Sequence, residues 1–329
     1  MPRVLLIRAV LLAAGVLAAL TASASLTVVP ASAAAPEPPT IEWGVVPADA
    51  AGPDGRVSLR HTIDPGGAIT DAIAVTNHSR EPAVFTVAAG DGVVGADGAY
   101  DVRADDPAAG GAWIDVGGVD GDGLALAAGE TRVLPVTITV PADATPGDHP
   151  AGIVVGLSAA ESGVTVTHRV GVRVHLQVAG EIAPMLSVDA AAASFTPSWI
   201  PFAPGTLTVE YRVTNTGNVR FGASVAADAA GPLGLMPGGG TAAAFEVLPG
   251  GTATQRIELP LAPLFFAAGE ITVTPVSLGD DRVPLPEAAS AGFSTPAVAW
   301  SSIAVVALGA GIIALVVSIF VRRRARRVR

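Results

Sequence analysis

Apolar and polar residues alternate over short stretches in most of the chain, and clusters of turn residues separate these stretches. Residues 130–140 and 164–178 have the clearest period of two. In the second segment the apolar residues share one face, while Arg169, Arg173 and His175 share the other. A strand with one apolar and one polar face is typical of an antiparallel sheet that buries only one side. Because no convincing amphipathic helix interrupts this pattern, the sequence predicts an all-β fold.

The order of strands and turns occurs twice. The strand that ends at Asn77 and the strand that ends before Pro141 have looser counterparts that end at Asn215 and before Pro260. Asn77 and Pro141 are 64 residues apart, whereas Asn215 and Pro260 are only 45 residues apart. The first copy therefore carries about 19 extra residues. We expect those extra residues within the Gly- and Asp-rich segment 90–123. The spacing of short strands and turns predicts two tandem immunoglobulin-like β-sandwiches, at residues 41–180 and 186–285.

A long uncharged segment lies near the C-terminus. Residues 298–321 carry no charge, and 24 residues at a helical rise of about 1.5 Å span the roughly 30 Å hydrocarbon layer of a bilayer. Trp300 lies where an interfacial aromatic residue belongs. We therefore expect a stalk at residues 286–297, a transmembrane helix, and a basic cytoplasmic tail at residues 322–329. Six arginines in this tail form the topology signal: Arg322, Arg323, Arg324, Arg326, Arg327 and Arg329.

The N-terminus resembles an export signal. Arg3 and Arg8 precede an apolar run, and Ala31-Ser32-Ala33 matches a small-residue cleavage site. The sequence predicts a signal peptide at residues 1–33, followed by a Pro-rich spacer at residues 34–40. The alternative is that the leader stays as a second membrane helix. Both alternatives place the β region outside the cytoplasm, and cleavage gives a single-pass cell-membrane protein with its N-terminus outside.

Composition limits the chemistry further. Two of the 19 arginines lie in the leader and six in the tail, which leaves 11 in the exported part against 29 acidic residues. This acidity argues against nucleic acid as a partner. The absence of cysteine excludes disulfides, thiol catalysis and cysteine-ligated zinc. We expect no cofactor.

No catalytic constellation is evident in the sequence. Ser158 lies outside a nucleophile-elbow motif, and His168 and His175, seven apart on one strand, point to opposite faces. Residues 104–106 and 119–123 offer oxygen ligands for calcium, but without an EF-hand loop they are better explained as turns. We expect no enzyme and no metal site, while a glycan hydrolase with distant carboxylates remains the alternative.

Aromatic residues are scarce, so exposed ones would be candidates for stacking on sugars. Tyr100 and Trp113 lie in the extra segment of the first copy and are the candidate ligand-binding residues. Packing in the core is the alternative for both. For Trp43, in the first predicted strand, core packing is the favoured interpretation.

The order of several short motifs in residues 41–160 resembles the peptidoglycan-binding domain of the WxL-interacting protein family of bacterial surface proteins. The motifs are Trp43-Gly44-Val45-Val46-Pro47, Asp64–Gly67, Val75-Thr76-Asn77, Gly95–Tyr100, Leu126–Glu130 and Pro150–Val155. This family has a similar layout of leader, wall-binding domain, second β domain, membrane helix and basic tail. The second domain here is shorter than that resemblance implies.

The resemblance implies a non-enzymatic, membrane-anchored protein that binds peptidoglycan or another wall polymer through its first sandwich. A different hypothesis is a scaffold or adhesin that recruits other surface proteins through exposed sheet edges. Wall binding is the leading hypothesis, and protein recruitment is the alternative.

Overall fold

The structure is a computed structural model that describes residues 41–95, 98–121, 123–161, 164–262, 265–279 and 283–327. The predicted signal peptide and spacer, together with Arg329, lie outside the described residues. Within them the chain forms β-strands, two short 3₁₀ turns and one C-terminal helix. The predicted all-β class with one apolar C-terminal helix is therefore confirmed.

Eleven strands form two sheets that we call the N-terminal sheet pair. The strands are β1 (Trp43–Asp49), β2 (Gly52–Pro53), β3 (Leu59–Ile63), β4 (Ala68–Asn77), β5 (Ala83–Val94), β6 (Tyr100–Arg103), β7 (Ile114–Val116), β8 (Leu124–Leu126), β9 (Thr131–Thr139), β10 (Gly147–Glu161) and β11 (Val164–Val178). One sheet has the order β2-β1-β4-β9-β7, and the other has the order β3-β11-β10-β5-β6, with β8 paired to β5. All neighbours are antiparallel except β3 and β11, which are parallel.

The alternation in the sequence explains how these sheets bury a core. In β9 the residues Leu134, Val136 and Ile138 are buried, while their neighbours in between are exposed. They pack with Ile73, Phe85 and other apolar residues of both sheets into one cluster. Burial of each large aliphatic side chain stabilises the fold by about 1.5–3 kcal/mol.

Seven further strands form two smaller sheets, the C-terminal sheet pair. They are β12 (Leu186–Thr196), β13 (Gly205–Asn215), β14 (Phe221–Ala230), β15 (Gly238–Val247), β16 (Thr252–Leu261), β17 (Phe265–Val276) and β18 (Ala289–Ala297). Their orders are β12-β13-β16 and β15-β14-β17-β18, and both sheets are antiparallel. A second, separate cluster that includes Tyr211 and Phe221 fills the space between them.

The segment predicted as a stalk differs from the expectation. Most of residues 286–297 forms β18, which pairs with β17 from Ala289 opposite Val273 to Ala297 opposite Phe265. The helix α1 (Trp300–Arg327) begins three residues after this strand ends. Of this helix, Trp300–Arg324 is long and apolar enough to cross a membrane, and its most apolar 18-residue window has a mean hydropathy of 2.8. The C-terminal sheet pair is therefore joined to the helix without a spacer.

The two asparagines that mark the sequence repeat make the same contacts. Both are fully buried. The amide nitrogen of Asn77 donates to the carbonyl of Glu81 at 2.8 Å, and that of Asn215 donates to Val219 at 2.8 Å. Each side-chain oxygen accepts the backbone N–H two residues further on, from Ser79 at 3.1 Å and from Gly217 at 3.0 Å. Each asparagine thus fixes the turn after its strand in the same way.

Candidate functional site

A cleft of about 600 Å³ lies between the two sheet pairs. The N-terminal pair contributes Asp91, Arg103 and His149 to its lining, and the C-terminal pair contributes Glu246 and the turn after it, residues 247–253. Its walls therefore carry charges of both signs. This volume is in the range of pockets that bind small molecules or short polymer segments.

Asp91 organises the inserted segment beside this cleft. The carboxylate is buried and accepts N–H groups from Ala108 at 2.8 Å, Ala109 at 3.1 Å and Gly111 at 2.8 Å. Gly111 packs so closely on the backbone of Gly90 that a Cβ atom would overlap it. Asp91 was not among the sequence-predicted site residues, because a single Asp in a Gly-rich stretch is usually a turn residue.

Tyr100, a predicted ligand-binding residue, is partly buried beside the cleft and does not line it. Its hydroxyl donates to the carbonyl of Ala151 at 2.7 Å, and its ring lies against Gly92, where any larger residue would collide with it. The guanidinium carbon of Arg173 lies 3.8 Å from the ring centroid, a cation–π contact. Burial raises the pKa of Tyr100 to about 12, so the hydroxyl remains a donor near neutral pH.

Trp113, the second predicted residue, is also partly buried and packs against the N-terminal core. Its ring lies 4.5 Å from the ring of His149, which lines the cleft. Trp43 packs against the same core, as expected, and its indole N–H donates to the carbonyl of Val155 at 3.1 Å. Tyr100 and Trp113 thus each contact a lining residue, and both are partly buried.

Glu246 joins the two sheet pairs at the edge of the cleft. One carboxylate oxygen accepts from Arg173 of the N-terminal pair at 2.8 Å, and the other accepts from Arg220 of the C-terminal pair at 2.9 Å. Arg220 is only 7% exposed. Its backbone N–H also donates to Asp148 at 2.8 Å. The Arg173–Glu246 pair crosses the interface, but the Arg173 side chain is 40% exposed, so this pair orients the two sheet pairs and contributes about 1 kcal/mol or less.

A second cavity of about 230 Å³ lies on the other side of Asp148 and has a basic lining. Arg60, His175 and Arg220 line it. Burial, together with the nearby positive charges of Arg220, Arg60 and Arg173, lowers the pKa of His175 to about 3. His175 is therefore neutral in the folded protein at ordinary pH.

This shift predicts a pH dependence of stability. Below about pH 6.5 the unfolded chain binds a proton at His175 that the folded chain does not, so stability falls as the pH drops from 6.5 toward 3. Between pH 7 and pH 5, we expect the wild type to lose about 1–2 kcal/mol more than a His175→Gln variant. Urea unfolding at the two pH values measures this difference. His168→Gln, on an exposed position of the same strand, is the control and should match the wild type.

Of the two Asp-rich segments that we expected to be turns and not calcium loops, the second forms a turn where it is described. The N–H of Gly123 donates to the carbonyl of Asp120 at 2.9 Å, and Asp122 lies outside the described residues. Among the residues that the structure describes, no group of three or more histidine and carboxylate side chains could hold a metal ion.

No protein-family model matches the chain, and no curated protein matches it. Among solved structures, the class 5 fimbriae chaperone CfaA is similar, with a TM-score of 0.37 and 10% identity over 78% of this chain and 99% of that one. The CsuC–CsuE chaperone–tip adhesion subunit complex of Acinetobacter baumannii is similar with a TM-score of 0.37 and 13% identity, over 79% of this chain and 98% of that one. The Salmonella enterica SafA pilin in complex with the SafB chaperone is similar with a TM-score of 0.34 and 11% identity, over 80% of this chain and 98% of that one. Likeness at this level does not indicate a function or a partner for this chain.

Proposed function

We propose that this chain is a non-enzymatic, membrane-anchored surface protein that binds peptidoglycan or a related wall polymer with its N-terminal sheet pair. In this proposal the two sheet pairs are two tandem immunoglobulin-like β-sandwiches. The leader exports them, α1 anchors them in the cell membrane, and the basic tail lies in the cytoplasm. The family resemblance of residues 41–160 supports this function.

The cleft between the sheet pairs is the observation that carries the proposal. Peptidoglycan presents sugar rings together with short peptides that bear carboxylates and amines. Arg103 and His149 on one wall and Glu246 nearby offer partners of both signs for those groups. Tyr100 and Trp113 contribute by fixing the residues that line the cleft.

The position of the cleft along the molecule also suits a wall ligand. β13 begins at Gly205, beside the start of α1, and ends at Asn215, whose turn contacts the N-terminal sheet pair. Eleven residues at about 3.3 Å each place the cleft about 35 Å from the start of the helix. In this proposal the cleft lies outside the bilayer, on the side of the membrane where the wall is.

Co-sedimentation tests the proposal. The full chain in detergent should sediment with insoluble peptidoglycan, and Arg103→Ala or Trp113→Leu should weaken this binding roughly five-fold or more, since each loses about 1 kcal/mol or more of contact. Arg132→Ala, an exposed arginine in the other sheet of the same pair, should bind like the wild type. Sedimentation of the wild type no greater than that of an unrelated acidic protein would disprove wall binding.

A second candidate function is recruitment of a protein strand, and the edge of β11 favours it. β3 pairs only with the last five residues of β11, Val174–Val178, while β10 covers the whole other side. Among the described residues, no strand pairs with the outer edge of His168–Arg173. An exposed edge of this length can accept an extended peptide. Photo-crosslinking from Val170 in cells that yields no protein adduct would exclude this candidate.

A further inference from the structure

The described residues that expose large apolar side chains are unevenly distributed. Outside α1, every exposed tryptophan or phenylalanine lies in three segments at one end of the C-terminal sheet pair. We call them the helix-proximal loops: residues 197–204, residues 231–237, and the start of β17 at Phe265. Their exposed large apolar side chains are Trp199, Ile200, Phe202, Leu233, Leu235, Met236, Phe265 and Phe266. Exposed apolar residues elsewhere are mostly single valines, which need no explanation.

Charges are absent from the same end of the molecule. The sequence carries no charged residue from 190 to 209, from 229 to 245 or from 259 to 269. These three stretches contain the three helix-proximal loops. At the opposite end of the same sheet pair lie Arg220 and Glu246. A surface that lacks charge and exposes aromatic side chains is costly in water and suited to an apolar environment.

Three of these exposed side chains are held by strained backbone. Phe202, Leu233 and Met236 have φ values of 64°, 59° and 53°, in the left-handed region. Among the described residues, Asp106 is the one other non-glycine residue there. This conformation costs about 1–2 kcal/mol for a side chain without a local hydrogen bond, and it persists where function requires it. All three of these residues, Phe202, Leu233 and Met236, expose an apolar side chain.

The loops contact the membrane-crossing helix directly. The N–H of Phe202 donates to the hydroxyl of Ser302 at 2.8 Å, and the hydroxyl of Ser301 donates to the carbonyl of Ser198 at 2.8 Å. An apolar cleft of about 550 Å³ between the loops and α1 is lined by Phe202, Met236 and Phe265 and extends to Ala310. Ala310 is ten residues beyond Trp300, so at about 1.5 Å per residue the loops flank the first 15 Å or so of the helix.

We infer that the helix-proximal loops insert into the outer interfacial layer of the lipid bilayer around α1. This inference rests on the proposed membrane anchoring and goes beyond it, because an anchored domain need not touch the lipid. Residues at the start of α1 cannot lie in the apolar layer without bringing the loops to the same depth, since hydrogen bonds join the two. Interfacial segments bury apolar side chains about 5–10 Å into the headgroup and acyl boundary, which matches the depth that the helix contacts imply.

Site-directed spin labelling of the full chain tests the inference. The chain contains no cysteine, so single labels at Ile200→Cys and Leu233→Cys report without background. Val57→Cys, 90% exposed in the N-terminal sheet pair, is the matched control for Leu233, which is 98% exposed. Val306→Cys marks the membrane-embedded helix. Each protein is reconstituted in vesicles of phosphatidylethanolamine and phosphatidylglycerol, and collisions with oxygen and with a water-soluble nickel chelate are compared.

The ratio of oxygen to nickel collisions at positions 200 and 233 should exceed that at position 57 by roughly three-fold or more and approach that at position 306. Ratios at 200 and 233 equal to that at 57, with 306 protected from nickel, would overturn the insertion and leave the anchor intact. Low collision rates with both reagents at 200 and 233 would also overturn it, since they would show that a second protein copy covers the loops. A water-accessible label at 306 would refute the anchor itself.

Discussion

Replacement of Asn77 by alanine should lower the free energy of unfolding by about 3 kcal/mol, more than any exposed substitution in the same strand. The side-chain amide donates to the carbonyls of Glu81, Leu126 and Ala127 at 2.8, 3.3 and 3.1 Å. Its oxygen accepts the backbone N–H of Ser79. Because Asn77 is fully buried, alanine would take this donor from the buried carbonyl of Leu126 and would remove the three contacts that hold the adjoining turns.

Chemical denaturation of the full chain in detergent micelles measures this loss. Thr76→Ala is the matched control. Thr76 is next to Asn77 in the strand, and its hydroxyl pairs with the hydroxyl of Thr131 at an exposed position. We expect that control to change stability by less than about 1 kcal/mol. Asn215→Ala should produce a loss similar to that of Asn77→Ala. A loss for Asn77→Ala no larger than that of Thr76→Ala would show that the two buried amides do not hold the turns.

Glu246→Ala should lower stability by about 3 kcal/mol and loosen the joint between the sheet pairs. The carboxylate contacts Arg173 and Arg220 from opposite sides of the interface. Since Arg220 is almost fully buried, loss of this carboxylate removes a partner from a charge that water does not reach. The Arg173 contact to Tyr100 should weaken too, because Glu246 helps to hold that guanidinium in place.

Two measurements check the Glu246 prediction. Denaturation gives the loss of stability, and the distance distribution between spin labels at Val57→Cys and Thr254→Cys should broaden in the variant. Glu258→Ala, an exposed glutamate on the same sheet pair, is the control and should change neither quantity. An unchanged distance distribution would mean that backbone contacts such as Asp148 N–H to Asn218, at 2.7 Å, fix the joint without the charges.

Sequence reasoning succeeded where residue type and period agree. The alternation in β9 and β11 predicted both strands and their buried faces, because one side of each strand packs on a core. The repeat of Asn77 and Asn215 predicted equivalent turns, since a buried amide has few ways to satisfy its hydrogen bonds. The apolar run at the C-terminus likewise predicted α1.

The prediction from sequence was wrong at β18, which we expected to be a stalk. Ala289–Ala297 is built from Ala, Ser, Gly, Thr, Pro and one Phe, so it lacks the apolar alternation of a buried strand. It forms a strand because β17 offers a free edge for backbone pairing, which the sequence of residues 289–297 does not reveal. The charged site residues Glu246 and Arg220 were missed for a related reason, because Glu246 is 73 residues from its partner Arg173 and 26 residues from its partner Arg220 along the chain.

The absence of a spacer before α1 has a mechanical consequence. β12 begins at Leu186, at the end of the C-terminal sheet pair next to the N-terminal pair, and β18 ends at Ala297, beside the helix. A pull between a ligand on the N-terminal pair and the membrane would therefore enter and leave the domain at opposite ends, along two strands that run in the same direction. Under such a shearing load the backbone hydrogen bonds of each terminal strand share the force and do not open one after another. If the proposed wall binding and membrane anchoring hold, this arrangement of the terminal strands would let the domain carry a load between the two.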